Sequence, residues 1–154
     1  MIDLYCDGSC PRPQGPGGWA WIIVRDGARD QGAGSELATT NNRMEMMAAI
    51  KGLEWLAENR YRGERVLITS DSQYVIRGLE KWAHEWKARG WRRLDENSKW
   101  VKVKNVDLWT PLFHLAHETF RTEFQWVRGH AGHSYNEECD KLAGEQAWAL
   151  IERG

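Results

Sequence analysis

Four acidic side chains stand where strands end or helices begin: Asp7, Glu45, Asp71 and Asp140. Asp7 closes an alternating stretch and Asp71 directly follows a β-rich run. Glu45 and Asp140 lie in or near a first helical turn, one residue from an apolar stripe. If the two strands are adjacent and parallel, Asp7 and Asp71 emerge side by side at one sheet edge. Helix-dipole complementarity, about 0.3–1 kcal/mol per acid in a first turn, is the ordinary explanation for Glu45 or Asp140 taken singly. It does not explain Asp7, which ends an apolar strand with no Lys or Arg within four residues on either side. Carboxylates gathered in one cleft repel one another and their pKa values rise unless cations neutralise them. Hard oxygen ligands suit Mg²⁺ or Mn²⁺, and two such ions about 3.5–4 Å apart can activate a water and stabilise a leaving oxygen in phosphodiester cleavage.

The elements that must position these acids follow from periodicity. Ile2 to Asp7 alternates as a strand, and a turn-rich loop runs from Gly8 to Gly18. Trp19–Arg25 is a second strand, Asp26-Gly27 a hairpin signal, and a weaker third strand lies between Arg29 and Leu37. From Thr40 the period changes: Met46, Ala49, Ile50, Leu53, Leu56 and Ala57 line one face of a helix that Thr40, Asn41 or Asn42 can cap. Arg65–Ser70 is a short strand, and Asp71-Ser72 opens a second helix reaching Lys87 or Arg89. Asn105–Thr119 reads as a third helix in which Pro111 is tolerable only near the first turn. Thr122–Val127 is a further strand, and Asn136–Ile151 a closing helix. An antiparallel meander followed by strand–helix units predicts an α/β protein with a mixed sheet flanked by helices.

At 154 residues, the chain is predicted to form a single domain over 1–154. The longest apolar run, Trp19–Val24, is far shorter than the roughly 20 residues of a spanning helix, and the acidic N-terminus is unlike a signal peptide, so a cytoplasmic protein without membrane contact is expected. Cys6, Cys10 and Cys139 form no CxxC pair and are expected to be reduced thiols that bind no zinc. Net charge is −1, which gives no general pull toward a polyanion. Charge is uneven, however. Lys81 to Lys104 holds eight Lys or Arg against three acids, interleaved with Trp82, Trp86, Trp91 and Trp100, which marks a candidate phosphate-binding surface.

DGSC at Asp7–Cys10, GPGGW at Gly15–Trp19, TTNNRMEMMAA at Thr39–Ala49 and SDSQYV at Ser70–Val75 are followed by GW at Gly90, KNVDLW at Lys104–Trp109 and WVRGHAGHSYNEECDKLA at Trp126–Ala143. In that order, over nearly the whole chain, they resemble bacterial type I ribonuclease H. The resemblance implies a ribonuclease H-like fold with a mixed five-stranded sheet whose central strands bear Asp7 and Asp71. It implies an endonuclease that hydrolyses the RNA strand of RNA–DNA hybrids to 5′-phosphate and 3′-hydroxyl ends. Mg²⁺, with Mn²⁺ as a substitute, would bind as two ions when substrate is present. No obligate protein partner is implied, and a monomer is expected.

By the same resemblance Asp7, Glu45, Asp71 and Asp140 are the metal ligands and His130 moves protons beside them, with His133 less critical. A histidine on a glycine-flanked loop is otherwise an ordinary surface residue. Gly8, Ser9, Cys10, Asn41, Asn42 and Gln73 would approach the strands across the minor groove, where 2′-hydroxyls distinguish RNA from DNA. Thr40 and Asn105 would hold a DNA phosphate, and Trp82, Trp86, Lys87, Arg89 and Trp91 would grip the DNA strand. Read without the resemblance, Asn41 and Asn42 serve equally as caps, Gln73 as a surface residue and the Trp82–Trp86 pair as a packing stripe with one ring buried and one exposed. Two departures stand out. The loop after DGSC carries Pro11-Arg12-Pro13-Gln14 where the family has Asn then Pro, leaving Arg12 or Gln14 to supply the missing polar contact. Arg92–Lys102 is longer than usual and adds Lys99, Trp100 and Lys102, a predicted extension of the DNA-binding surface. The low net charge predicts weak binding at physiological salt, and with the first strand starting at Ile2 no separate preceding hybrid-binding domain is expected. A resolvase-like DNA nuclease would lack the 2′-hydroxyl-reading set, and a non-catalytic binding module would have lost an acid.

Overall fold

Strand β1, Ile2–Ser9, is the centre of the molecule, with Leu4 and Cys6 fully buried. In the computed structural model, which describes residues 1–129, 132 and 134–153, β1 pairs antiparallel with β2, Gly17–Arg25, which pairs antiparallel with β3, Ala28–Glu36. Asp26 and Gly27, both at positive φ, close the β2–β3 hairpin in the sense that matches strand twist. On its other side β1 pairs in parallel with β4, Arg65–Ser70, and β4 in parallel with β7, Arg121–Trp126, giving the order β3-β2-β1-β4-β7. The mixed five-stranded sheet is thus a meander extended by parallel strands.

Alternation along the strands divides the core between the two faces. Leu4, Cys6, Trp21 and Ile23 meet α1, Asn41–Glu58, through Met46, Ile50, Leu53 and Leu56. Ala20 and Ile22 meet Cys139 and Ala143 of α5, Ser134–Arg153. Thr40 caps α1, its Oγ1 accepting the Arg43 amide at 3.2 Å.

The second predicted helix is continuous in path but uneven in pitch. It comprises α2, Gln73–Arg77, a wide π turn over Gly78–Trp82, and α3, Ala83–Ala88. The third behaves alike: α4, Val106–Phe113, passes into a π turn over His114–Thr119. Pro111 is the sixth residue of α4, one turn later than expected. It is tolerated because both Pro111 and Asp107, whose carbonyl loses its usual donor, are exposed to water. Between α3 and α4 the chain forms an unpredicted hairpin, β5, Arg92–Leu94, with β6, Trp100–Lys102. Among the described residues no helix is long and apolar enough to cross a membrane.

Candidate active site

The parallel β1–β4 pairing ends at Tyr5 and Thr69, each two residues short of an acid, and Asp7 and Asp71 come together just beyond it. Glu45 arrives from α1, which lies unusually close to β1. A Cβ at Gly8 would fall 2.4 Å from both the Glu45 nitrogen and the Met44 carbonyl carbon, so only glycine permits this approach. The Gly8 amide donates to Asp7 Oδ1 at 2.9 Å and to Glu45 Oε1 at 3.0 Å. The Ser70 hydroxyl donates to Glu45 Oε2 at 3.5 Å and accepts the Ser72 amide at 3.0 Å. Ligand atoms of Asp7, Glu45 and Asp71 lie within 4.8 Å of one another. Asp140 lines the same cleft, of about 480 Å³.

Helix-dipole placement does not account for these acids. Glu45 is the fifth residue of α1, a helix with no acid in its first turn. Asp140 is the seventh of α5, whose first-turn acid is Glu137. Glu45 stands where the sequence reading placed it, just past the first turn, and Asp140 two residues further into its helix, because α5 begins at Ser134 and not at Asn136.

Asp7 is 2% and Glu45 6% exposed. Burial lifts the Asp7 pKa to about 7, the hydrogen bond with Glu45 opposes that shift, and the charges of Asp71 and Asp140 add to it. Burial and the neighbouring Asp7 and Asp71 charges push Glu45 well above the usual carboxylate range. Asp7 Oδ2 is buried without a hydrogen-bond partner among the described residues. A buried acceptor left so costs about 1–3 kcal/mol. A cation held by these oxygens would supply the missing partner and neutralise the mutual repulsion. An all-oxygen donor set of this kind fits a hard divalent ion.

Of the predicted substrate contacts, Gly8, Ser9, Cys10, Asn41, Asn42 and Gln73 all line the cleft. Asn41 Oδ1 accepts the Cys10 amide at 3.0 Å, which ties the loop to the start of α1. Thr40 and Asn105 lie to one side and are joined through Arg43, which the sequence reading passed over. The Arg43 backbone amide donates to Thr40, its Nη1 donates to Asn105 Oδ1 at 3.3 Å, and its guanidinium meets Asp107 in two bonds of 2.9 and 2.7 Å. Asn105, left-handed at φ 61°, and Trp109 both donate to the Tyr74 hydroxyl, at 3.3 and 3.0 Å. The arginine's place between the capping Thr40 and Glu45 was the available signal.

Trp82 and Trp86 are both half-buried, in place of the expected one in and one out. Trp86 packs against the core and meets Trp109 edge-on at 5.6 Å, while Trp82 lies against Trp86 at 6.1 Å, so the stripe tilts between core and solvent. Lys87 pairs with Glu118 at 2.8 Å and Trp91 packs on Phe113 at 6.0 Å. The Arg89 guanidinium lies 5.8 Å over the Trp100 ring. Arg12 sits 5.9 Å over Trp148 on α5, so from the loop beyond Cys10 it is Pro11 that reaches the cleft. His130 and His133 lie outside the described residues. Gly129, just before them, runs beside the carboxylate of Asp71, where a Cβ would stand 2.7 Å from Oδ2. Trp126 was also missed: its indole N–H donates to the Asp71 backbone carbonyl at 2.9 Å. Cys6 and Cys139 are buried free thiols whose pKa burial pushes up, and Cys10 is half-buried at the cleft.

Comparison with known proteins agrees with this geometry. A family profile described as RNase H matches residues 1–148. The chain is 44% identical over 140 residues to a ribonuclease H of Caulobacter sp. strain K31, which covers 91% of this chain and 85% of that protein. The crystal structure of LC9-RNase H1, described as a type 1 RNase H with the type 2 active-site motif, superposes with a TM-score of 0.81 at 32% identity, covering 97% of this chain and 72% of that one. LC11-RNase H1, solved in complex with an RNA/DNA hybrid, shares the fold with a TM-score of 0.73 at 20% identity over 98% of this chain and 99% of its own.

Proposed function

The chain belongs to the ribonuclease H family, an endonuclease acting on RNA–DNA hybrids, and we propose that it hydrolyses the RNA strand with divalent ions held by Asp7, Glu45, Asp71 and Asp140, leaving 5′-phosphate and 3′-hydroxyl ends. The observation that carries this reading is the meeting of three carboxylates within 4.8 Å at the end of a parallel strand pair, one of them with a buried, unpartnered oxygen. Two Mg²⁺ ions, or Mn²⁺ in their place, would supply water activation and leaving-oxygen stabilisation when bound with substrate.

The chain's own groups do the rest. The Gly8 amide orients Asp7 and Glu45 by holding one oxygen of each. Asn41, Asn42, Gln73 and the Gly8–Cys10 backbone offer the donors and acceptors that a 2′-hydroxyl requires. Thr40 and Asn105 hold a DNA phosphate, with Arg43 and Tyr74 fixing Asn105. Trp82, Trp86, Lys87, Arg89 and Trp91 grip the DNA strand further out. His130, whose side-chain type can take up and release a proton near neutral pH, moves a proton during product release. The protein works as a single-domain cytoplasmic monomer.

The test incubates wild type and Asp71→Asn with Mg²⁺ and labelled hybrid, double-stranded RNA, single-stranded RNA and duplex DNA. Cutting of the hybrid's RNA strand alone by wild type, with binding but no cutting by Asp71→Asn, is the expected result. Cleavage of DNA would assign the site to a different nuclease, and tight hybrid binding by wild type without cleavage would make the chain a binding module.

A further inference from the structure

A second hollow, of about 160 Å³, opens beside the carboxylate cleft and shares Gln73 with it. Gln73, Ile76, Arg77 and Glu80 stand at i, i+3, i+4 and i+7, one stripe along the helical turns that follow Asp71. Trp126, at the end of β7, closes the other side. Its indole N–H, bonded at 2.9 Å to the Asp71 carbonyl, fixes the ring against the segment that carries a proposed metal ligand. The hollow therefore adjoins the place where a phosphodiester would be cut, and the reading of the cleft makes no use of Ile76, Arg77 or Glu80.

Three kinds of surface meet there. Trp126 is 42% exposed although its one polar atom is already engaged, so what it offers is aromatic carbon. Ile76, 3% exposed, adds an aliphatic floor. On the rim Arg77 and Glu80 are exposed, and neither enters an ion pair among the described residues, although opposite charges three apart on a helix are neighbours. A phosphate would be drawn to Arg77 but repelled by Glu80, and a cation the reverse. An aliphatic chain would use neither charge. A nucleobase uses all three surfaces: it lays a flat face on the apolar side chains, and its edge carries donors for a carboxylate and acceptors for a guanidinium. The volume is below the roughly 300–1,000 Å³ of a site for a whole small molecule and suits one ring system.

We propose that this hollow takes an unpaired base of the RNA strand next to the cut, and so directs cleavage to places where hybrid gives way to single-stranded RNA. A paired base is stacked in the duplex with its edge turned to its partner, and only a base out of the stack can be held between side chains in this way. The RNA strand is the occupant because it is the strand laid across the carboxylates, and Gln73 borders both spaces. Trp126 and Ile76 carry the face of the base, Glu80 accepts from its edge and Arg77 donates to it. The inference rests on the hybrid-cleaving reading and adds to it a preference for where along the RNA that reaction occurs.

The test measures, in Mg²⁺ at sub-saturating substrate, the rate and position of cutting for hybrids of one paired sequence. One is blunt, others carry an unpaired RNA tail at either end, and matched controls have an abasic tail or the same tail on the DNA strand. Wild type is expected to cut roughly fivefold or more faster with an RNA tail at one end, and to cut chiefly at the paired ribonucleotides beside it. The abasic tail and the DNA tail should give little of that gain. Arg77→Gln and Glu80→Gln should each cut blunt hybrid within about twofold of wild type and, as exposed substitutions, hardly change the unfolding temperature, yet lose most of the gain. A larger gain in Glu80→Gln would show that the hollow attracts phosphate and would overturn the inference. So would a gain that survives the abasic tail or is equalled by the DNA tail. Indifference to every tail in a wild type that cuts blunt hybrid overturns the inference alone, whereas a wild type that cuts none of these hybrids overturns the parent reading as well.

Discussion

A single amide, that of Gly8, serves two buried carboxylates, and the oxygens it leaves over determine how the metal-free protein responds to pH. Asp7 titrates near pH 7 in the fold against an ordinary 3.8, so the folded state binds its proton more tightly than the unfolded chain does. That contribution to stability is complete below about pH 4 and lost as pH rises through 7. In chelator, the unfolding midpoint of wild type relative to Asp7→Asn should therefore decline between pH 4 and 8, and added Mg²⁺ should reverse the decline at the alkaline end, because only ionised ligands bind it. A difference that stays level across that window would contradict the burial argument. Trp126→Phe keeps an aromatic ring, though a smaller one, and removes the donor to the Asp71 carbonyl. The Mg²⁺ needed for half-maximal cleavage should rise several-fold, while a lost bond of about 1 kcal/mol lowers the midpoint by only about 2–4 °C. An unaltered metal requirement would show that this N–H does not position the ligand. The four acids could be picked out in the sequence because each neighbours a strand end or an apolar stripe. Trp126 could not, since its partner lies 55 positions away and nothing local marks the contact.

At the scale of elements, the closeness of α1 to β1 rests on Gly8. Gly8→Ala places a methyl against backbone atoms of Met44 and Glu45 that cannot rotate away. It should cost about 2 kcal/mol or more in a denaturant titration and weaken metal binding together with stability. Loss of neither would mean that the helix shifts freely. The meander was readable because Asp26-Gly27 separates two strand-like runs, and the parallel pair because β4 is a β-rich run ending on an acid. β3, ARDQGAGSE, is nearly devoid of large apolar residues and gave only a weak signal, since its place is held by pairing with β2. The β5–β6 hairpin gave none. Its few residues are mostly charged, and its register comes from the turn that Asp95 closes and from anchoring at Trp91. The π turns after Arg77 and Phe113 also escape a reading based on a 3.6-residue period.

For the molecule as a whole, a net charge of −1 means that attraction to nucleic acid is local. Among the described ion pairs Lys87 alone of the Lys and Arg between 81 and 104 is held by an acid, Glu118, so the attraction concentrates on that segment. Hybrid affinity in fixed divalent ion should therefore fall with monovalent salt at a log–log slope of about −3 to −5, since each phosphate neutralised adds roughly −0.9. A much steeper slope would reveal a basic surface elsewhere. The sheet order β3-β2-β1-β4-β7 also bears on when the enzyme becomes able to cut. Pairings between sequence neighbours close sooner than distant ones, so the meander and α1 can bring Asp7 and Glu45 together early. Asp71 joins only when β4 docks across a long closure, and Asp140 only when α5 is laid on the opposite face. On the proposed four-acid site, a chain partway through folding carries half of the ligands, and destructive chemistry toward nucleic acid is withheld until every layer of the protein is in place.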